Sequence, residues 1–212
     1  MADITELIDF GMGKVDEGPE NLQLPDPFLY GYYKDISKRV FYLDTEIIDE
    51  TVELAKQILR CNQEDKGLEV SKRQPIYIYI NSIGGDVQTM WTIINTILLS
   101  KTPVYTIVYC NALSAAAFLL VAGHKRYALP GSTILVHSGS CSFNGDVEKV
   151  ESAKKYYDAL SKRVNTFLLQ RSKIPEKDLK RKGAVDWYMT AEEALSYGLI
   201  DEIVSDLDTI LP

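Results

Sequence analysis

Few residues of this 212-residue chain have types and positions suited to covalent chemistry, and Ser114 is the first of them. It lies in Tyr109-Cys-Asn-Ala-Leu-Ser-Ala-Ala-Ala-Phe-Leu-Leu-Val-Ala-Gly123, where an apolar strand-like run hands over to a helix rich in Ala and Leu. The first N–H groups of a helix have no intrahelical partner and the dipole is positive there, so an oxyanion formed by attack of Ser114 can take the N–H of Ala115. The same position also suits a plain N-cap serine. His137 ends the run Thr133-Ile-Leu-Val-His and opens into Ser-Gly-Ser, the address of a general base or of a hydrogen-bonded structural histidine. The other histidine, His124, sits in a Gly-His-Lys-Arg turn and reads as exposed.

A serine–histidine pair needs a carboxylate to hold the ring in the correct tautomer. Thirty acidic residues leave that choice open, and Asp186 attracts attention because Gly-Ala-Val-Asp-Trp-Tyr-Met is otherwise apolar. A carboxylate buried there would be costly unless paired. Gly84 and Gly85 follow a buried strand, so their backbone can approach a ligand closely or present an N–H to an oxyanion; a simple turn is the alternative. A phosphate cradle is disfavoured, since neither GxGxxG nor GxxxxGK[ST] is present.

The elements around these residues alternate. Residues 1–27 carry scattered Gly and Pro and suggest a short helix near 3–10 followed by an extended arm. Arg39–Leu43 looks like a strand, and Asp44 or Thr45 could cap a helix reaching Cys61, with Asn62–Arg73 as a loop. Pro75–Asn81 is the clearest strand, Val87–Leu99 a helix, and Val104–Tyr109 the next strand. Short strands follow at Lys125–Ala128 and Thr133–His137. A helix of roughly 40 Å spans Asp146 to about Lys173, long enough either to project toward another subunit or to lie across the sheet. Pro175 starts a short helix, Thr190-Ala-Glu-Glu193 is a capping box, and Leu199–Val204 reads as a last strand. Strand–helix alternation of this kind predicts an α/β fold with a mostly parallel sheet and right-handed crossovers.

Composition narrows the function. The length suits one domain, and a net charge of −7 argues against nucleic acid or an anionic membrane as the main partner. No apolar run is long enough to span a bilayer, and the acidic N-terminus lacks the order of a secretory signal. Cys61, Cys110 and Cys141 are odd in number and widely spaced, which fits reduced thiols in the cytoplasm. With two histidines and no paired-Cys or HExxH spacing, neither a metal site nor any cofactor is expected.

Four segments in matching order, from about Tyr33 to Val204, resemble the proteolytic subunit of the ATP-dependent caseinolytic (Clp) protease family. They are Ile78-Tyr-Ile-Asn-Ser-Ile-Gly-Gly85, Ala112-Leu-Ser-Ala-Ala-Ala-Phe118, Arg126-Tyr-Ala-Leu-Pro-Gly-Ser-Thr-Ile-Leu-Val-His137, and Asp186 through Asp201. The resemblance implies a crotonase-like spiral of ββα units over residues 30–204, with a protruding handle helix at about 146–173 and a tail at 205–212. It implies Ser114 as nucleophile, His137 as base, Asp186 as orienting acid, and the N–H groups of Gly85 and Ala115 as oxyanion donors. By analogy an extended substrate would lie beside Gly84–Gly85 and the segment opening with Ser138 and Gly139. Implied partners are further copies of the chain in two stacked heptameric rings, an AAA+ ATPase that uses the ATP, and unfolded polypeptide.

The chain resembles a divergent member: Ile83 stands where the family has Pro, Ser138-Gly139 where it has Gln-Pro, and residues 1–29 do not match its axial segment. Two other readings stand beside a serine endopeptidase. One is a weakly active or structural ring subunit assembled with a catalytic paralogue. The other is an acyl-CoA enzyme of the crotonase type, which shares the spiral fold and the paired oxyanion N–H groups.

Overall fold

The computed structural model describes residues 27–212. The helix expected near 3–10 and the arm after it lie outside the described residues. The chain enters through α1 (Pro27–Ser37) and β1 (Val40–Leu43), then α2 (Glu53–Glu64), β2 (Ile76–Ser82), α3 (Val87–Leu99) and β3 (Val104–Leu113). It continues through α4 (Ala115–Ala122), β4 (Lys125–Ala128), β5 (Thr133–Val136), α5 (Val147–Arg171) and α6 (Glu176–Lys182). β6 (Trp187–Thr190), α7 (Ala191–Ser196) and β7 (Glu202–Ile203) complete it. The sheet runs β1-β2-β3-β4-β7 with every neighbour parallel, as the alternating elements predict.

β2 shows how sequence builds the layers. Side chains alternate across a strand, and Ile76, Ile78 and Ile80 enter the core shared with α2, α3 and α4. Tyr77 and Tyr79 go to a second cluster with Val40, Ile107, Tyr127, Val204 and Ile210 on the other side. With both faces covered, the strand is buried along nearly its whole length. α4 is buried all round, and its Ala115-Ala116-Ala117 run lets the helix sit close against its neighbours.

β3 is the strand that divides. Its first half, Tyr105–Val108, pairs with β4, while Asn111–Leu113 pairs with β5. β5 then pairs antiparallel with β6, although some fifty residues separate them in sequence. Half of that excursion is α5. It buries only Phe167 and Leu168, near its C-terminal end, and Val147–Tyr156 is largely exposed, so the helix projects from the body. Phe167 anchors it by packing edge-on against Trp91 of α3, 5.5 Å between ring centres, and Arg163 lies over the Trp91 face at 4.4 Å.

Three details differ from the sequence expectation. Pro27–Ser37 is helical; Tyr30, Tyr32 and Tyr33 are half exposed there, so the segment carries little of the apolar periodicity that marks a helix. No helix starts at Asp44 or Thr45. Ile47 instead donates its N–H to Gly84 O (2.8 Å) and accepts from Asp86 N–H (2.7 Å), which keeps the backbone extended there. A 3-10 turn at Asp49–Val52 then leads into α2, which runs past Cys61 to Glu64. That extra turn carries Asp65 to Arg39, whose guanidinium grips it through Nη1 (2.7 Å) and Nη2 (2.8 Å). Thr102 Oγ1 adds a third bond to Asp65 at 2.8 Å. Arg39 holds the buried Asp65 carboxyl below the usual carboxylate range.

Candidate active site

Strand register, rather than sequence proximity, assembles the site. Leu113 at the end of β3 pairs with Leu135 of β5, and Ser114 N–H donates to Leu135 O at 3.0 Å. The residue beyond β5 is His137, one position past the point opposite Ser114, so the parallel pairing brings it within side-chain reach. Val136 pairs in turn with Trp187 of β6, and the antiparallel register makes Asp186 the residue opposite His137. The side chains complete what the backbone prepares. His137 Nε2 lies 2.8 Å from Ser114 Oγ, and His137 Nδ1 lies 3.2 Å from Asp186 Oδ1.

Ser114 has φ 56° and ψ −124°. A non-glycine residue at such angles is strained by about 1–3 kcal/mol and persists only where its surroundings hold it. It is the sharp strand-to-helix turn that lifts a serine hydroxyl clear of its sheet. Gly84 lies against this turn. A Cβ on Gly84 would meet Leu113 O at 2.5 Å, Ser114 Cβ at 2.7 Å and Ala115 N at 2.9 Å, so only glycine fits. Gly84 has φ 95° and Gly85 φ 146°, and Gly84 O is held by Ile47 N–H. The N–H groups of Gly85 and Ala115 donate to no acceptor among the described residues.

Asp186 corrects part of the sequence expectation. Its side chain is 59% exposed, not buried as its apolar neighbours suggested, while that of His137 is 28% exposed. Trp187 and Met189 of β6 face the core, whereas Ala184, Val185 and Tyr188 are exposed, so the apolar run does not enclose Asp186. His124 stays apart from the cluster, its Nδ1 accepting from Val104 N–H at 3.0 Å. Cys61 is buried, and burial pushes its thiol up to about 11; Cys110 and Cys141 are exposed, and all three are unpaired. Among the described residues no three His, Cys, Asp or Glu side chains gather as a metal set.

Beyond His137 the chain is tied down by residues that spacing did not single out. Ser138 N–H and Oγ–H both donate to Gly183 O, at 2.8 and 2.7 Å. Tyr157 Oη–H of α5 donates to Ser138 O at 3.2 Å, and burial raises this phenol so that it stays a donor. The Ser138 N–H is therefore occupied within the protein by the Gly183 carbonyl. A cleft of about 550 Å³, lined by His137, Ser138, Lys162, Asn165, Leu179 and Gly183 among others, opens beside this tie.

The family model of Clp protease matches residues 29–206, most of the chain and every residue named in the cluster. The chain belongs to the Clp protease family. It is a Clp-type peptidase subunit, and its mixed α/β architecture with a mostly parallel sheet is that of the Clp protease fold. Among the described residues no helix is long and apolar enough to cross a membrane.

Proposed function

We propose that this Clp protease family chain is a serine endopeptidase subunit that cuts unfolded polypeptide inside a closed oligomer of its own copies. The observation that carries the reading is the relay from Asp186 through His137 to a strained Ser114, with contacts of 3.2 and 2.8 Å. Asp186 accepts the Nδ1 hydrogen, which leaves Nε2 free to take the Ser114 proton. Ser114 Oγ attacks the scissile carbonyl, and the carbonyl oxygen becomes an oxyanion held by the N–H groups of Gly85 and Ala115. His137 then gives its proton to the leaving amine, and Ser114 remains as an ester. Water, deprotonated by His137, hydrolyses that ester and restores the serine.

The rest of the reading follows from the family. Two stacked heptameric rings, joined through the projecting α5, would enclose the sites, and an AAA+ ATPase would supply unfolded chains at the expense of ATP. No cofactor is assigned to this chain itself. Its three unpaired cysteines suit a reducing compartment such as the cytoplasm.

Ser114→Ala tests the reading. The variant should assemble as the wild type does, lose labelling by a fluorophosphonate probe, and lose peptide hydrolysis by roughly 10⁴-fold or more. Wild-type protein that assembles yet neither labels nor hydrolyses would instead make this a structural ring subunit.

A further inference from the structure

The ladder between β5 and β6 does not continue past the catalytic cluster. Val136 pairs with Trp187, so an unbroken hairpin would next set His137 against Asp186 and Ser138 against Val185. Ser138 bonds instead to Gly183, two residues further on. Ala184 and Val185 are left looped out and exposed, and Asp186 sits on this bulge with Trp187 fixed on one side and Gly183 on the other. Gly183 is itself rigidly held. Its N–H donates to Leu179 O at 2.9 Å at the end of α6, and a Cβ there would come 2.6 Å from that same oxygen. Val185 N–H closes the turn by donating to Lys182 O at 3.2 Å.

Resting on the serine peptidase reading above, we infer that Ser138 is a positioning residue. The fork of its N–H and Oγ–H on the Gly183 carbonyl holds the end of β5 against the bulge, at the separation that keeps Asp186 on His137. The need for such a tie is physical. Asp186 is largely exposed, so its distance from His137 depends on the backbone at both ends of the bulge. On the β6 side the ladder supplies that constraint. On the Gly183 side the fork does. Tyr157 fixes the opposite edge of Ser138 from the projecting helix. The hydroxyl supplies the second bond that a ladder rung would have had, here as a second donor on the same acceptor instead of a reciprocal N–H···O bond.

The test is Ser138→Ala, which deletes the Oγ–H and leaves the N–H in place. Labelling of Ser114 by a fluorophosphonate and kcat for a fluorogenic peptide should each fall about tenfold. KM should stay within twofold of wild type, because the contact acts on the relay and not on substrate binding. Ser138→Thr, which keeps a hydroxyl, should restore both labelling and kcat. In an Asp186→Asn background Ser138→Ala should cost little more, since both changes act on one contact.

Should Ser138→Ala fail to assemble, Ser138→Cys keeps the shape with a much weaker donor and carries the same expectation. Wild-type kcat in the assembled alanine or cysteine variant, or a loss carried by KM instead, would overturn the inference, as would a full additional loss in the Asp186→Asn background. If the wild type is not labelled at Ser114, the peptidase reading fails first and this inference falls with it.

Discussion

Gly84→Ala is the sharpest perturbation that the site offers, because the added methyl group has nowhere to go except into the nucleophile turn. The three atoms it would meet, Leu113 O at 2.5 Å, Ser114 Cβ at 2.7 Å and Ala115 N at 2.9 Å, belong to the turn that aims the Ser114 hydroxyl and to the proposed oxyanion donor. Ordinary contact begins near 3.5 Å, so relief requires movements on the order of 0.5–1 Å, shared between the two turns. The backbone adds its own cost, since φ at Gly84 is +95°, where a side chain is strained. Together these should lower stability by about 2–4 kcal/mol. A displacement of about 1 Å at the reacting groups is worth roughly a hundredfold in rate. The assay is fluorophosphonate labelling of Ser114 beside thermal melting, with Gly131→Ala as control. Gly131 has open space around it and no positive φ, so its alanine variant should match the wild type in both measurements. A Gly84→Ala protein that labels within threefold of wild type and melts normally would refute the reasoning that the two turns are locked together.

Other expectations follow from single contacts. Asp186→Asn should assemble and lower kcat by roughly 10⁴-fold, because an amide can hold the ring in the wrong tautomer; loss of less than tenfold would remove Asp186 from the relay. His124→Gln should leave hydrolysis within twofold of wild type, since His124 meets Val104 and not Ser114. Asp65→Ala should destabilise the fold by about 3–5 kcal/mol in denaturant titration, by leaving Arg39 buried without its partner. The folded-state value of Asp65 is depressed, so its contribution is complete above the ordinary carboxyl range and is lost as pH falls through the depressed value; Asp65→Asn should flatten that acid limb of the stability profile. Phe167→Ala should cost about 3–5 kcal/mol in melting, whereas serine at exposed Val147 and Tyr156 should leave melting of the subunit unchanged and weaken assembly in sedimentation.

The local parts of the fold are legible because their causes are local. The Ile-Tyr-Ile-Tyr-Ile alternation of β2, the small-residue helix after Ser114 and the Thr190–Glu193 capping box each carry their signal within a few residues. Ser114 and His137 are visible for the same reason, as residues that end core strands. Asp186 is different. The burial that drew attention to it does not occur, and what brings it to His137 is the β5–β6 register, set by pairing across half a hundred intervening residues. Ile47 makes the same point on a smaller scale: its bridge to the Gly84–Gly85 turn overrides a helix start that Asp44 and Thr45 would otherwise suit. Ser138 is visible only as a departure from the family's Gln-Pro, and nothing local marks the Gly183 carbonyl that it meets.

β5 and β6 are neighbours in space, so topologically the projecting helix and α6 are one very long hairpin loop closed at its neck by Ser138 and Gly183. Closing a loop becomes harder only with the logarithm of its length, about 0.6 kcal/mol for each doubling. The arm can therefore be lengthened, shortened or rephased between related chains at small thermodynamic penalty, provided its two ends return to the same pair of strands. Architecture at the tip and chemistry at the root are free to diversify separately, with the neck as their one shared joint.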